Sequence, residues 1–187
     1  MAARTGMANL ISRWRRMVDD TGTATWSDDQ AQQILDVNRT DFWWDSMAPA
    51  PEKSGGSTIY TTYLLRRQNL EESSSGSAYW RVFDGAGMTI GTANYAVDYL
   101  TGIITFASDQ MGSARFLTGR AFDLNGAAAS AWRERAALSA SLYNFQADGG
   151  RYDRAQWFEH CVKMAEYYGN LARGGMTVSV LDRSDLA

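Results

Sequence analysis

The sequence predicts an α+β protein: mainly an α-helical bundle, with a small antiparallel β domain inserted in it and an extended C-terminal tail. Three observations predict this class. Apolar residues recur with helical spacing near both ends, a stretch rich in aromatic and β-branched residues separates these ends, and Pro49, Pro51 and Gly55-Gly56 mark the change between patterns. Because a two-helix piece cannot bury its apolar face alone, the two helical parts are expected to share one core.

The predicted parts have the following bounds. Residues 1–48 form an N-terminal helical part, 49–120 a β-rich insertion, 121–175 a C-terminal helical pair, and 176–187 an extended tail. The N-terminal part is predicted to hold two helices. The first presents one apolar face, made of Leu10, Ile11, Trp14, Met17 and Val18. The second is predicted to begin at Ser27, which forms a capping box with Gln30.

The insertion has the composition of strands. Residues 59–65 and 79–83 are rich in aromatic and β-branched side chains. Farther along, Tyr95, Val97 and Tyr99 alternate with smaller or polar residues, as in a half-buried strand. A turn at Thr101-Gly102 then leads into a further short strand.

Two helices and a strand-like terminus are predicted after the insertion. Asp123 or Asn125 caps a helix that runs to about Tyr143, and Asp153 caps a second helix that runs to about Ala172. From Met176 onward the apolar residues alternate, but the chain offers this segment no partner strand.

Charge and cysteine content exclude several classes of protein. The formal net charge of −3 is spread along the chain, so no segment has the basic excess that binding to phosphates requires. The basic run at Arg13, Arg15 and Arg16 is typical of a solvated helix face. Cys161 is the only cysteine, which rules out an intrachain disulfide. No stretch approaches the roughly 18 uninterrupted apolar residues of a membrane helix, so no membrane partner is expected.

Cys161 and His160 are the one pair that could suggest an enzyme. Neighbours on a helix point in different directions, so the thiol and the imidazole are not expected to meet. Cys161 is predicted to lie in the core and His160 at the surface, and the soft ligands are too few for a zinc site. We therefore predict no enzyme activity, no catalytic or metal-binding residue and no cofactor.

Two features remain that a monomer does not explain. Three large rings follow one another at Phe42, Trp43 and Trp44, and no single helix face or strand face buries all three. The strand-like tail is suited to joining the sheet edge of another chain, although an unstructured terminus explains its pattern equally well. The predicted interaction residues are Phe42, Trp43, Trp44, Met176, Val178, Val180 and Leu181.

Three segments carry a resemblance to a known family. They are Trp26-Ser27-Asp28-Asp29-Gln30 ahead of Ile34-Leu35-Asp36; Phe122-Asp123-Leu124-Asn125-Gly126, leading to Trp132 and Tyr143-Asn144-Phe145; and Tyr95-Ala96-Val97-Asp98 with Thr101-Gly102-Ile103-Ile104-Thr105-Phe106. Together they resemble the head–tail connector (adaptor, or neck) proteins of tailed bacteriophages. The third resembles a β insertion that some members carry.

This resemblance implies a structural virion protein made in the host cytoplasm. Its partners would be copies of itself in a ring, usually of twelve subunits, together with the portal protein and a tail or stopper protein. DNA would pass through the lumen without sequence-specific binding. Two alternatives stay open: another minor virion or tail-completion protein, and a binding module whose aromatic residues recognise a sugar or peptide.

Overall fold

The computed structural model describes residues 3–73, 79–140, 145–147, 150–152 and 154–173. The helices are α1 (Ala8–Met17), α2 (Asp28–Val37), α3 (Leu124–Ala140) and α4 (Arg154–Arg173). The strands are β1 (Arg39–Ser54), β2 (Ser57–Leu64), β3 (Arg81–Asp84), β4 (Thr89–Ile90), β5 (Tyr95–Asp98), β6 (Ile103–Phe106), β7 (Arg115–Phe122), β8 (Phe145–Ala147) and β9 (Gly150–Tyr152). A short 3-10 turn, Thr5–Met7, precedes α1.

The predicted fold class was wrong about the share of β structure. Seven strands form one curled antiparallel sheet, a half-barrel, in the order β4-β3-β7-β1-β2-β6-β5. With 40% helix and 31% strand, the chain is not a helical bundle with a small β domain. The error arises at β1, which begins at Arg39 and not near position 49, and which continues through both prolines.

Strand β1 joins the two halves of the sheet. Its first part, from Arg39 to Met47, pairs with β7, and the remainder pairs with β2. Irregularities after Phe42 and after Ala50 bend the strand, as β-bulges do. The prolines are tolerated because they lie beyond the section that pairs with β7, where a missing N–H costs that ladder no hydrogen bond.

The helices surround a core of their own. Trp14 of α1 meets Trp26 edge to face at 5.3 Å between ring centroids. The rest of this core includes Leu10, Ile11, Val18, Leu35, Ala128, Trp132, Cys161 and Ala165. The predicted capping box is confirmed, because Ser27 Oγ accepts from the Gln30 amide and Gln30 Oε1 accepts from the Ser27 amide. Among the two candidate caps of α3, Asp123 is the one whose side chain accepts the amide of Gly126, at 3.0 Å.

The concave face of the sheet forms a second core. Its buried residues include Phe42, Met47, Tyr63, Trp80, Val82, Ile104 and Leu117. The turn predicted before β6 requires Gly102, which has a φ of +76°, and a Cβ there would lie 2.1 Å from the carbonyl oxygen of Arg67. Tyr143, Asp153 and the tail from Met176, for which the sequence made predictions, lie outside the described residues.

One buried carboxylate connects the helical layer to the sheet. Glu71 is fully buried and its side chain accepts from Arg4 at 2.8 Å and from Arg120 of β7 at 3.5 Å. Its own amide donates to the carbonyl of Arg120 at 3.0 Å. Arg4 also binds both carboxylate oxygens of Asp36 in α2, at 2.6 and 2.8 Å. These bonds hold the N-terminal segment, α2 and β7 together.

We expect Glu71→Gln to lower the free energy of unfolding by about 2 kcal/mol or more, because it removes the negative charge that two arginines share in a buried place. Glu166→Gln, at an exposed position of α4, is the matched control and should stay within about 0.5 kcal/mol of wild type. Urea unfolding measures both variants. Equal effects would mean that Glu71 does not join the two layers.

The pKa of Asp36 lies below its ordinary value of 3.8: burial acts to raise it, and the hydrogen bonds and charge of Arg4 outweigh that effect. A carboxyl group with a lowered folded-state pKa stabilises the fold above its unfolded pKa, and this stabilisation is lost as the pH falls through the folded pKa. We therefore expect wild type to lose more stability than Asp36→Asn when urea unfolding is compared at pH 5 and below pH 3.8. Equal losses would contradict the Arg4–Asp36 pairing.

Candidate functional site: an aromatic surface on the outer sheet face

The irregularity in β1 places two indole rings on the face of the sheet that points away from the core. Phe42 pairs with Gly119 and Asp45 with Leu117, so Trp43 and Trp44 are inserted between two successive pairs. Phe42 points inward and is only 4% exposed. Trp43 is 71% exposed and Trp44 is 48% exposed. The expectation that three successive rings cannot all be buried is confirmed.

Trp44 is held rigidly against the outer face. Its ring stacks on Phe83 of β3, with ring centroids 4.5 Å apart and an angle of 16° between the ring planes. It also packs against Phe116 of β7, with ring centroids 5.5 Å apart. Its amide donates to Thr118 Oγ1 at 3.3 Å. The backbone of Trp44 has a φ of +53°, a conformation that costs a non-glycine residue roughly 1–3 kcal/mol. The stacking and the hydrogen bond offset this strain.

Trp43 forms one wall of a small groove next to Trp44. The groove has a volume of about 220 Å³, and its lining residues are Asp41, Trp43, Tyr79, Thr118, Gly119 and Arg120. The guanidinium of Arg120 lies over the Tyr79 ring, 4.2 Å from its centroid, in a cation–π contact. The carboxylate of Asp41 lies 3.7 Å from Arg120 Nε. We call the four rings Trp43, Trp44, Phe83 and Phe116 the outer aromatic surface; Tyr79, which lines the groove beside it, also packs against the core of the sheet.

A larger groove, about 930 Å³, runs along α1 and the start of α2. Arg15, one of its charged lining residues, is already paired, because it binds Asp20 at 2.6 Å and Asp28 at 2.9 Å. Arg15 also donates to the carbonyls of Gly22 and Trp26, so it is a buried residue that closes the connection between the two helices. The interpretation of the basic run as a solvated face was wrong for this arginine.

The helical pair also exposes apolar side chains. They are Leu138 on α3 and Trp157, Phe158, Tyr167 and Leu171 on α4. Only part of the apolar face of α4 is covered. The covered part includes Cys161 and Ala165.

Cys161 and His160 do not form a catalytic pair in the structure. Cys161 is fully buried, which raises the pKa of its thiol, while the charge of Arg135 opposes that shift. His160 is exposed and its ring stacks on Trp157 with centroids 5.5 Å apart. The prediction of a core cysteine beside a surface histidine is confirmed. Among the described residues, no group of three or more metal-ligating side chains comes together, and no helix is long and apolar enough to span a membrane.

Of the seven predicted interaction residues, the structure describes three. Phe42 lies in the core of the sheet, and Trp43 and Trp44 lie on the outer aromatic surface. The other four, Met176, Val178, Val180 and Leu181, lie outside the described residues. Their role as interaction residues stays a prediction.

The predicted interaction residues do not include the other rings of the outer aromatic surface. Phe83 and Phe116 lie directly opposite each other in the β3–β7 pair. Strand alternation could place each of them on one face of its own strand, but nothing in the sequence pairs the two strands. A comparison with models of protein families, with curated proteins and with solved structures found no match. Function is therefore inferred from the surfaces of this chain.

The two neighbouring tryptophans should respond differently to truncation. We expect Trp44→Ala to lower the free energy of unfolding by about 1–3 kcal/mol, because it removes the stack on Phe83 and the contact with Phe116. Trp43→Ala should change it by no more than about 0.5 kcal/mol, because its ring is mostly in solvent. Urea unfolding of both variants tests this, and an equal loss of stability would show that Trp43 is also part of the folded core.

Proposed function

We propose that the chain is a non-enzymatic structural subunit of a symmetric assembly, and specifically a head–tail connector subunit of a tailed bacteriophage. The observation that carries this proposal is the exposure of Trp43 beside a rigidly stacked Trp44. In the proposed assembly, copies of the chain form a ring between the portal and the tail.

An exposed tryptophan next to a fixed aromatic platform is typical of protein interfaces. Aromatic residues are enriched at the centres of interfaces, and tryptophan is over-represented among the residues that dominate binding energy. Trp44 is already ordered by its stacking. Binding of a partner would therefore cost little side-chain entropy at this ring. The strained backbone at Trp44 also fits a functional surface better than a passive one.

The segments that resemble the connector family have definite structural roles, which supports the proposal. Trp26 packs on Trp14 and leads into the capping box of α2. The segment from Phe122 carries the chain from β7 into α3, with Asp123 as the cap. The third segment forms the β5–β6 hairpin, in which Tyr95 pairs with Phe106. Each segment therefore lies at a junction of the fold.

The proposed work is mechanical. The ring would dock beneath the portal protein, extend the DNA channel, meet a tail or stopper protein, and reside at the neck of the virion. A net charge of −3 suits a lumen in which DNA slides, because a basic lumen would bind phosphates. No cofactor enters into this role.

The test is assembly on portal rings. We expect the full chain, mixed with purified portal rings, to give closed rings docked on the portal in electron micrographs. Trp43→Ala should weaken this association, whereas Met111→Ala should not, although Met111, in a turn outside the strands, is an even more exposed apolar residue. Absence of a complex with the wild-type chain would contradict the connector role, and binding to tail tubes alone would favour a tail-completion protein.

A further inference from the structure

We propose that residues 49–51 of one copy of the chain dock into the groove beside Trp43 of the next copy, so that subunits join head to tail. The inference rests on the proposed function, because it names the contact that would build the ring. The two surfaces are the proline-containing edge of β1 and the groove beside the outer aromatic surface.

Within the part of the chain that the structure describes, no strand covers the edge on which the proline segment lies. There, pairing of β1 with β7 stops at Met47, and beyond it β1 pairs with β2 alone. Pro49 and Pro51 are both exposed and are the only prolines of the chain. Because proline has no N–H, this edge offers carbonyl acceptors and stiff apolar rings, and it resists pairing with a foreign strand.

The hairpin of residues 51–58, which we call the arm, is poorly supported by its own chain. Every residue from 51 to 58 is exposed, which includes both strands next to the tip at Gly55 and Gly56. A two-stranded hairpin in water is marginally stable at best, so an arm of this kind gains stability when another surface covers it. The prolines lie at its base, where β1 leaves the sheet.

The groove has the chemistry that recognises prolines. Proline-containing segments dock between aromatic side chains, because their rings pack flat on these side chains and their backbone is already stiff. Trp43 and Tyr79 supply the aromatic walls here. The volume of about 220 Å³ is below the roughly 300 Å³ at which small-molecule sites begin. A protruding side chain of a protein fits it better than a free ligand.

The polar lining of the groove complements the acceptor-only edge. A guanidinium carries five N–H donors, and Arg120 uses Nη1 for Glu71. Its Nε is buried without a hydrogen-bond partner, so the donors available to the carbonyls of an incoming proline segment are those of the Nη groups. Asp41 adds a negative charge 3.7 Å from Arg120 Nε and pairs more closely with Arg39, at 2.7 Å.

The prolines cannot occupy the groove of their own chain. Trp43 and Pro49 are separated by six positions of the same strand, which corresponds to about 20 Å at 3.3 Å per residue. The partner is therefore a second copy. A contact between two different surfaces is heterologous, and its repetition closes a ring when the rotation between successive copies divides a full turn evenly.

Mixing two defective variants tests this contact. Wild type, Trp43→Ala and the double variant Pro49→Ala/Pro51→Ala are measured by analytical ultracentrifugation over a range of concentrations. We expect each variant alone to associate about tenfold more weakly than wild type, a loss of about 1.4 kcal/mol. Their mixture should form one-to-one pairs, because the intact prolines of the first variant meet the intact groove of the second. Ser57→Ala, on the same arm, is the control and should behave as wild type.

Two results would overturn the inference. They are a double proline variant that associates as wild type does, and a mixture that forms no pairs. Urea unfolding verifies that the variants are folded. If the double proline variant still forms rings on the portal, the head-to-tail contact is wrong and the connector role stands; if wild type does not bind the portal, the connector role fails independently of the mixing result.

Discussion

The buried carboxylate of Glu71 is the constraint on which the arrangement of the two layers depends. The helices and the sheet form two apolar clusters, and Phe122 at the end of β7 packs in the helical one, so apolar packing leaves much of the relative orientation of the layers to polar contacts. Glu71 resolves this, because one side chain accepts from Arg4 and from Arg120. A buried ion cluster contributes little net stability after desolvation, but it tolerates only one geometry. The charges therefore select the orientation of the layers, while the two cores supply most of the stability.

The parts of the fold that the sequence predicted depend on local chemistry. Ser27 and Gln30 cap α2, and Asp123 caps α3, because these hydrogen bonds need only residues within one turn of each other. The burial of Cys161 followed from the period of a single helix. Arg15 was misjudged, because its burial depends on loop carbonyls that no helical period reveals.

Strand β1 shows why the rest could not be predicted. A stretch with three successive rings and two prolines has no regular alternation, and it becomes a strand because β7, far away in sequence, pairs with its first part. The candidate site could be predicted from the sequence only in part, for the same reason. The exposure of one ring among Phe42, Trp43 and Trp44 follows from simple geometry, but the stacking partner Phe83 is supplied by a distant strand.

The length and bonding of β1 have a mechanical consequence. The strand has 16 residues and spans about 50 Å, from the end of α2 to the tip of the arm. A pull on the tip acts along the strand, so the hydrogen bonds between the first part of β1 and β7 are loaded in shear and must break together. Such a ladder resists force far better than one that opens bond by bond from an end. Strand β1 thus transmits tension from the tip of the arm directly to the helical layer.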